Sequence, residues 1–210
     1  MIMCTCLNIS LKDQLQPPTW QLLSQYKELP MGFEQMRPWL LALNLTLQKA
    51  AELGYRSDLG VDYYLLSKAM GVKPIINLET LDLQLGVLSG DSALEQDLTL
   101  RLTLEQLPDM SSYIGEVREA WQQGDVESIY HSIEQPKRDY PELSEQFYRQ
   151  VTRRNLHMAR QIADFLQDKE DYLVVIGGGH LGGDEGVLAL LKKQGVEAVQ
   201  QPKLGRSMLY

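Results

Sequence analysis

Five glycines and one histidine lie between Ile176 and Asp184, as Gly177-Gly178-Gly179-His180 followed by Gly182-Gly183. Glycines in that density permit a tight turn, close backbone approach and amides turned outward. An imidazole among them can bind a divalent metal or shuttle a proton. Two further side chains could join this chemistry. Glu79 follows the apolar run ending at Asn77 and offers a carboxylate. Arg154 could hold a substrate carboxylate or pair with Glu79, although its spacing alone favours a solvated or salt-bridged helix face.

Gly177, Gly179 and Gly182 also satisfy the spacing of a dinucleotide-binding turn. That reading needs an acidic residue after the next strand, where Gln200 and Gln201 stand, and further strand–helix units, for which fewer than 30 residues are left after Gly182. A nucleotide is therefore not expected. Cys4 and Cys6, one residue apart, are too close for an unstrained bridge and have no histidine nearby in sequence, so they read as incidental thiols. His131 and His157 read as partly exposed helix residues.

The elements that would position these groups follow from hydrophobic periodicity. Tyr172–Ile176 is a continuous run of β-formers and reads as a strand, with His180 just beyond its carboxyl end. Lys73–Asn77 reads as a second, Val196–Val199 as a third. If the first two are parallel neighbours, Glu79 and His180 converge on one sheet edge. The rest reads as helix. One stripe holds Met36, Leu40, Leu43, Leu47 and Ala50. Another helix runs from an Asp58 cap to Met70 and ends at Gly71. A wide apolar face around Leu94–Leu107 closes at Pro108, and helices follow at Ser111–Gln123 and Val126–Ile133. Gln135–Pro141 reads as a loop before a long helix, Leu143–Gln167, lined inside by Phe147, Val151, Met158, Ile162 and Phe165. A last helix spans Asp184–Gln194. The segment 81–88 fits either a strand or a helix.

The 210 residues are 44% hydrophobic and 23% charged, which suits one domain with a real core. A net charge of −8 opposes nucleic acid and anionic membrane surfaces. No apolar run is long enough to span a bilayer, and the start lacks an export signal, so the sequence as written implies a cytoplasmic chain.

Several short pieces occur together in a telling order: Leu59-Gly60-Val61-Asp62, Ala69 with Lys73-Pro74, Leu78-Glu79-Thr80 with Gln84, Arg154-Asn155 with Met158-Ala159, and Gly177 to Gly183. Leu11-Lys12-Asp13-Gln14-Leu15 and Arg37-Pro38-Trp39 fit as well. In this order they resemble the TraB/GumN family over nearly the whole chain. The resemblance implies kinship with Tiki-type membrane peptidases and, more distantly, with ChaN and erythromycin-esterase-like proteins. It implies an α/β fold, a small, mainly parallel sheet with extensive helical insertions, and a metal-dependent hydrolase acting on peptides. The family's metal site is attributed to two Gly-x-x-His motifs plus glutamates. His180 matches the second histidine, Glu79 the glutamate of Leu-Glu-Thr, and Arg154 the arginine before Asn155.

The first Gly-x-x-His and its strands should precede Leu11, and only one such motif is present. The resemblance then implies about the C-terminal two-thirds of the family domain, with a weakly held Mn, Co or Zn ion at an incomplete site. It equally admits a non-catalytic binding protein on the old scaffold, or part of a longer exported enzyme. A sheet lacking its first strands would expose an edge and favour a homo-oligomer.

Overall fold

The structure, a computed structural model, describes residues 10–202. Cys4 and Cys6 lie outside that range. Eleven α-helices and several single turns occur among the described residues, with no strand. Four helices build the larger core: α1 (Leu11–Gln14), α2 (Pro17–Leu23), α3 (Pro38–Glu52) and α6 (Ala93–Gln106). Leu11, Leu23, Leu41, Leu45, Leu100 and Leu104 are almost wholly buried there. Prolines open α2 and α3, where a missing N–H costs nothing. Ser92 caps α6, its hydroxyl accepting from the Glu95 amide at 3.1 Å.

One polar group holds this core in register. Asp97, 2% exposed, accepts from the Gln16 amide at 2.8 Å and from the Thr19 hydroxyl at 3.0 Å, tying α6 to the start of α2. The buried face of α3 is Pro38, Leu41, Ala42 and Leu45, rather than the stripe through Leu43 and Leu47. The helix is leucine-rich on two sides, and only its packing against α6 selects one of them; Leu47 is 58% exposed.

The second half carries α7 (Met110–Gln123), α8 (Val126–Asp139), α9 (Ser144–Phe147), a π-helical turn at Tyr148–Thr152, α10 (Arg153–Phe165) and α11 (Val187–Lys193). Met158 and Ala159 of α10 pack on Val187 and Leu191 of α11, with Leu78, Ile176 and Val196 closing that cluster. A third cluster joins Tyr130 to Phe147 and Val151. The expected loop at Gln135–Pro141 is instead the last turn of α8, which runs through Pro136. Glu134, 14% exposed, binds Lys137 at 2.8 Å and Arg138 at 2.6 Å, and these i,i+3 and i,i+4 pairs sustain the turn beyond the proline.

Between the halves lie α4 (Val61–Ala69) and α5 (Leu81–Ser89). The ambiguous segment is thus helical, and Thr80 caps it by accepting from the Leu83 amide at 3.2 Å. Asp58 does not cap α4: it lies in a single turn, Ser57–Leu59, and is gripped by Arg56. Gly71 does follow the helix with φ +74°.

The α/β expectation is overturned. Lys73–Asn77, Tyr172–Ile176 and Val196–Val199 are irregular chain, and no ladder joins any of them among the described residues. Side-chain type makes a segment able to pair, but a strand exists only through hydrogen bonds to a neighbour, and these runs have none. Several of their apolar side chains are accordingly exposed, Leu173 by 78% and Val199 by 77%, while Ile176 and Val196 pack on the α10–α11 cluster. Among the described residues an oligomer through a sheet edge has no sheet to rest on.

Candidate functional site

The site is assembled from α10, the glycine turn and the segment before α5. The π-helical turn precedes α10 directly, and an extra residue in a turn rotates everything after it by ~100° about the helix axis. Arg154 and Asn155 follow, pointing to different partners.

Asn155 is fully buried and joins both ends of the glycine-rich segment. Its Nδ2 donates to the Glu185 carbonyl at 2.8 Å, and its Oδ1 lies 2.7 Å from His180 Nδ1. These two contacts fix the amide's orientation, because only Oδ1 can accept. In its neutral form His180 therefore carries its proton on Nδ1, and Nε2 keeps its lone pair. No group among the described residues hydrogen-bonds Nε2. Burial pushes the imidazole below its ordinary range, the Arg154 charge pushes the same way, and Glu79 opposes them. The site thus presents a neutral, oriented imidazole.

Glu79 sits beside it but is already engaged. Arg154 Nε donates to Oε1 and Nη2 to Oε2, both at 2.6 Å, a two-pronged pair whose carboxylate side chain is 7% exposed. Arg154 Nη1 donates back to the Gln150 carbonyl at 3.0 Å, inside the π-helical turn. The guanidinium holds the Glu79 carboxyl below its usual range despite burial, with Gln84 and His180 adding smaller effects. Glu79, Arg154 and His180 are thus brought within electrostatic reach of one another, although no ion pair of 4.0 Å or less joins Glu79 to His180.

The glycines serve packing against α8. A methyl group on Gly182 would overlap the Val126 carbonyl, and one on Gly179 would come 2.8 Å from Ile133 Cδ1. Gly183, at φ +79°, lies under the Tyr130 ring, and its amide donates to the Glu127 carboxylate at 3.0 and 3.1 Å. Close approach to a helix, rather than to a phosphate, is what the glycines permit here. Beside the turn, Tyr55, Trp121, Ile129, Gly178 and Gly179 line an open, mainly apolar pocket of about 370 Å³.

Asn155 was not singled out from sequence for any role. Its signal is a polar residue set within the apolar stripe Val151, Met158 and Ile162 of one helix. Glu127, Thr152 and Glu185 had no such signal. Thr152 donates to the Glu185 carboxylate at 3.0 Å, a contact across 33 residues. His131 and His157 are exposed helix residues, as their positions suggested.

A divalent metal at this site would need several converging donors. Among the described residues no three His, Cys, Asp or Glu side chains form such a group. His180 Nε2 is one donor, and both Glu79 oxygens are held by Arg154. Catalytic zinc-type sites use three protein ligands and one open position. The residues present do not by themselves fit a resident metal.

No described helix is long and apolar enough to cross a membrane. Nothing among curated proteins or solved structures matches the chain. A family model does match, over residues 3–200, a span that contains Glu79, Arg154, Asn155 and the whole glycine turn. The chain belongs to the TraB/PrgY/gumN family.

Proposed function

We propose that this protein is a hydrolase of peptide-type bonds in which His180 is the base. The observation that carries this reading is the Asn155 contact, which holds the proton of the neutral imidazole on Nδ1 and leaves Nε2 to accept one, while burial disfavours the charged ring. A water on Nε2 would give a proton to the imidazole as its oxygen bonds to the carbonyl carbon, and the imidazolium would return that proton to the departing amine as the C–N bond breaks. The Arg154 cation, tied to Glu79, would lower the energy of the negative charge that develops. The apolar pocket beside Gly178 and Gly179 would take a substrate side chain. Because the donor set falls short of a metal site, no step is routed through a metal.

The test is turnover of a mixed peptide library by the purified protein, followed by mass spectrometry. Substituting His180→Ala should lower the rate by about 10²- to 10⁴-fold. Unchanged cleavage in that variant would sink the assignment. Calorimetric titration with Mn, Co and Zn ions checks the donor-set reading, and tight uptake abolished by His180→Ala would return His180 to a ligand role.

A second reading is favoured by the closed Glu79–Arg154 pair, in which each charge is already countered by the other. It is a non-catalytic binding module on the family scaffold. It predicts peptide binding without turnover, weakened by Trp121→Ala and insensitive to Arg154→Lys.

A further inference from the structure

The chain exposes more surface than its mass allows for a self-sufficient monomer. Its accessible area is 15073 Å² for 23.9 kDa, whereas a folded monomer of that mass exposes roughly 10,000 Å². Granting full solvation to every residue outside 10–202 accounts for about 3,000 Å². An excess on the order of 2,000 Å² is left.

Part of that excess is concentrated in one stretch. Between positions 59 and 76, Leu59, Tyr63, Tyr64, Met70, Val72 and Ile76 are each more than half exposed. They lie on and around α4, whose packing with other elements is essentially confined to the turn that precedes it. A nine-residue helix is marginal in water on its own, and an apolar one with two tyrosines is costly to leave wet. This segment is built to be covered.

We infer that the α4 surface is a self-association face and that its occupant is the same surface of a second copy of this chain. Two observations select a copy. The excess area, of which this stretch carries a part, falls in the range that an obligate homodimer removes, roughly 1,000–2,500 Å² per chain. In addition, the segment is nearly neutral within a molecule of net charge −8: Arg56, Lys68 and Lys73 face Asp58 and Asp62 in number, and Arg56 already pairs with Asp58. Two such faces meet without the repulsion that the rest of the acidic surface would impose. Exposed tyrosines beside aliphatic side chains are the composition that interface cores favour.

Sedimentation velocity on the full chain, from micromolar to about a hundredfold higher concentration, tests this. The expected result is a species of twice the monomer mass. The pair Leu66→Asp and Met70→Asp, in α4 and at its C-terminal cap, should convert it to monomer with an unchanged far-ultraviolet circular dichroism spectrum. Leu47→Asp, at an equally exposed apolar site on α3, should leave the dimer intact. As a test that does not depend on a charged variant folding, Tyr63→Cys in a Cys4→Ser, Cys6→Ser background should form a disulfide-linked dimer under mild oxidant. A wild-type monomer at the highest concentration would overturn the proposal. So would a dimer indifferent to the α4 pair, or a monomer whose α4 patch binds a hydrophobic dye.

Discussion

At Asn155 one amide does two things. It closes the glycine-rich segment at Glu185 and sets the proton of His180. Asn155→Ala would leave a buried Nδ1–H and the Glu185 carbonyl without partners, at a cost of about 1–3 kcal/mol. A lowered midpoint in urea unfolding measures that cost. The loss of a single Nδ1–H tautomer in a ¹⁵N-correlated NMR spectrum measures the chemical consequence. A stable variant with its tautomer unchanged contradicts the assignment. His180 also makes stability depend on pH. Its folded-state affinity for protons lies below that of the unfolded chain, so between the two values the unfolded state binds more protons. Stability is then complete above about pH 6.5 and falls as the pH drops toward the folded value. His180→Gln should flatten this part of the profile, measured as unfolding free energy from pH 7.5 to 5.

The elements around the site are tuned by glycine in opposite senses. Gly182 and Gly186 sit where an added methyl would overlap backbone carbonyls, of Val126 in one case and of Gly182 and Leu181 in the other. Gly182→Ala and Gly186→Ala should each destabilise by about 1–3 kcal/mol, because neither carbonyl can move without the turn. Gly86 in α5 and Gly115 in α7 have open space around them and no positive φ. Changing either to alanine should stabilise by ~0.5–1 kcal/mol through the lower entropy of the unfolded chain. Thermal melts of the four variants separate the two groups, and a destabilised Gly86→Ala would count against the helical assignment of α5.

For the molecule as a whole, the clusters on either side of α4 and α5 are real cores, but the area between them is wet. If α4 is covered by a second copy, dissociation and unfolding are coupled, and the melting temperature must fall on dilution. A hundredfold dilution corresponds to roughly 2.7 kcal/mol of lost stabilisation. Scanning calorimetry at two such concentrations reads the shift directly. A concentration-independent melt would indicate that α4 contributes nothing to a shared core.

The amino-acid sequence by itself determined most of the helices and singled out the candidate residues of the site. Apolar residues at helical spacing located α6 and the helix through Phe147, Val151 and Met158, and helices were expected where α7 and most of α8 lie. The order of short motifs located Glu79, Arg154 and His180, and the structure brings those three within electrostatic reach of one another. What sequence could not determine was which segments have partners. Ile75, Ile76 and Tyr172–Val175 have the composition of strands, yet pairing is a property of two segments, and neither run contains its own neighbour. The same reason hid the buried side of α3, the turn beyond Pro136 and the role of Asn155. Only the folded chain placed α6 against Leu41, Glu134 between two cations, and a buried amide against an imidazole 25 residues away.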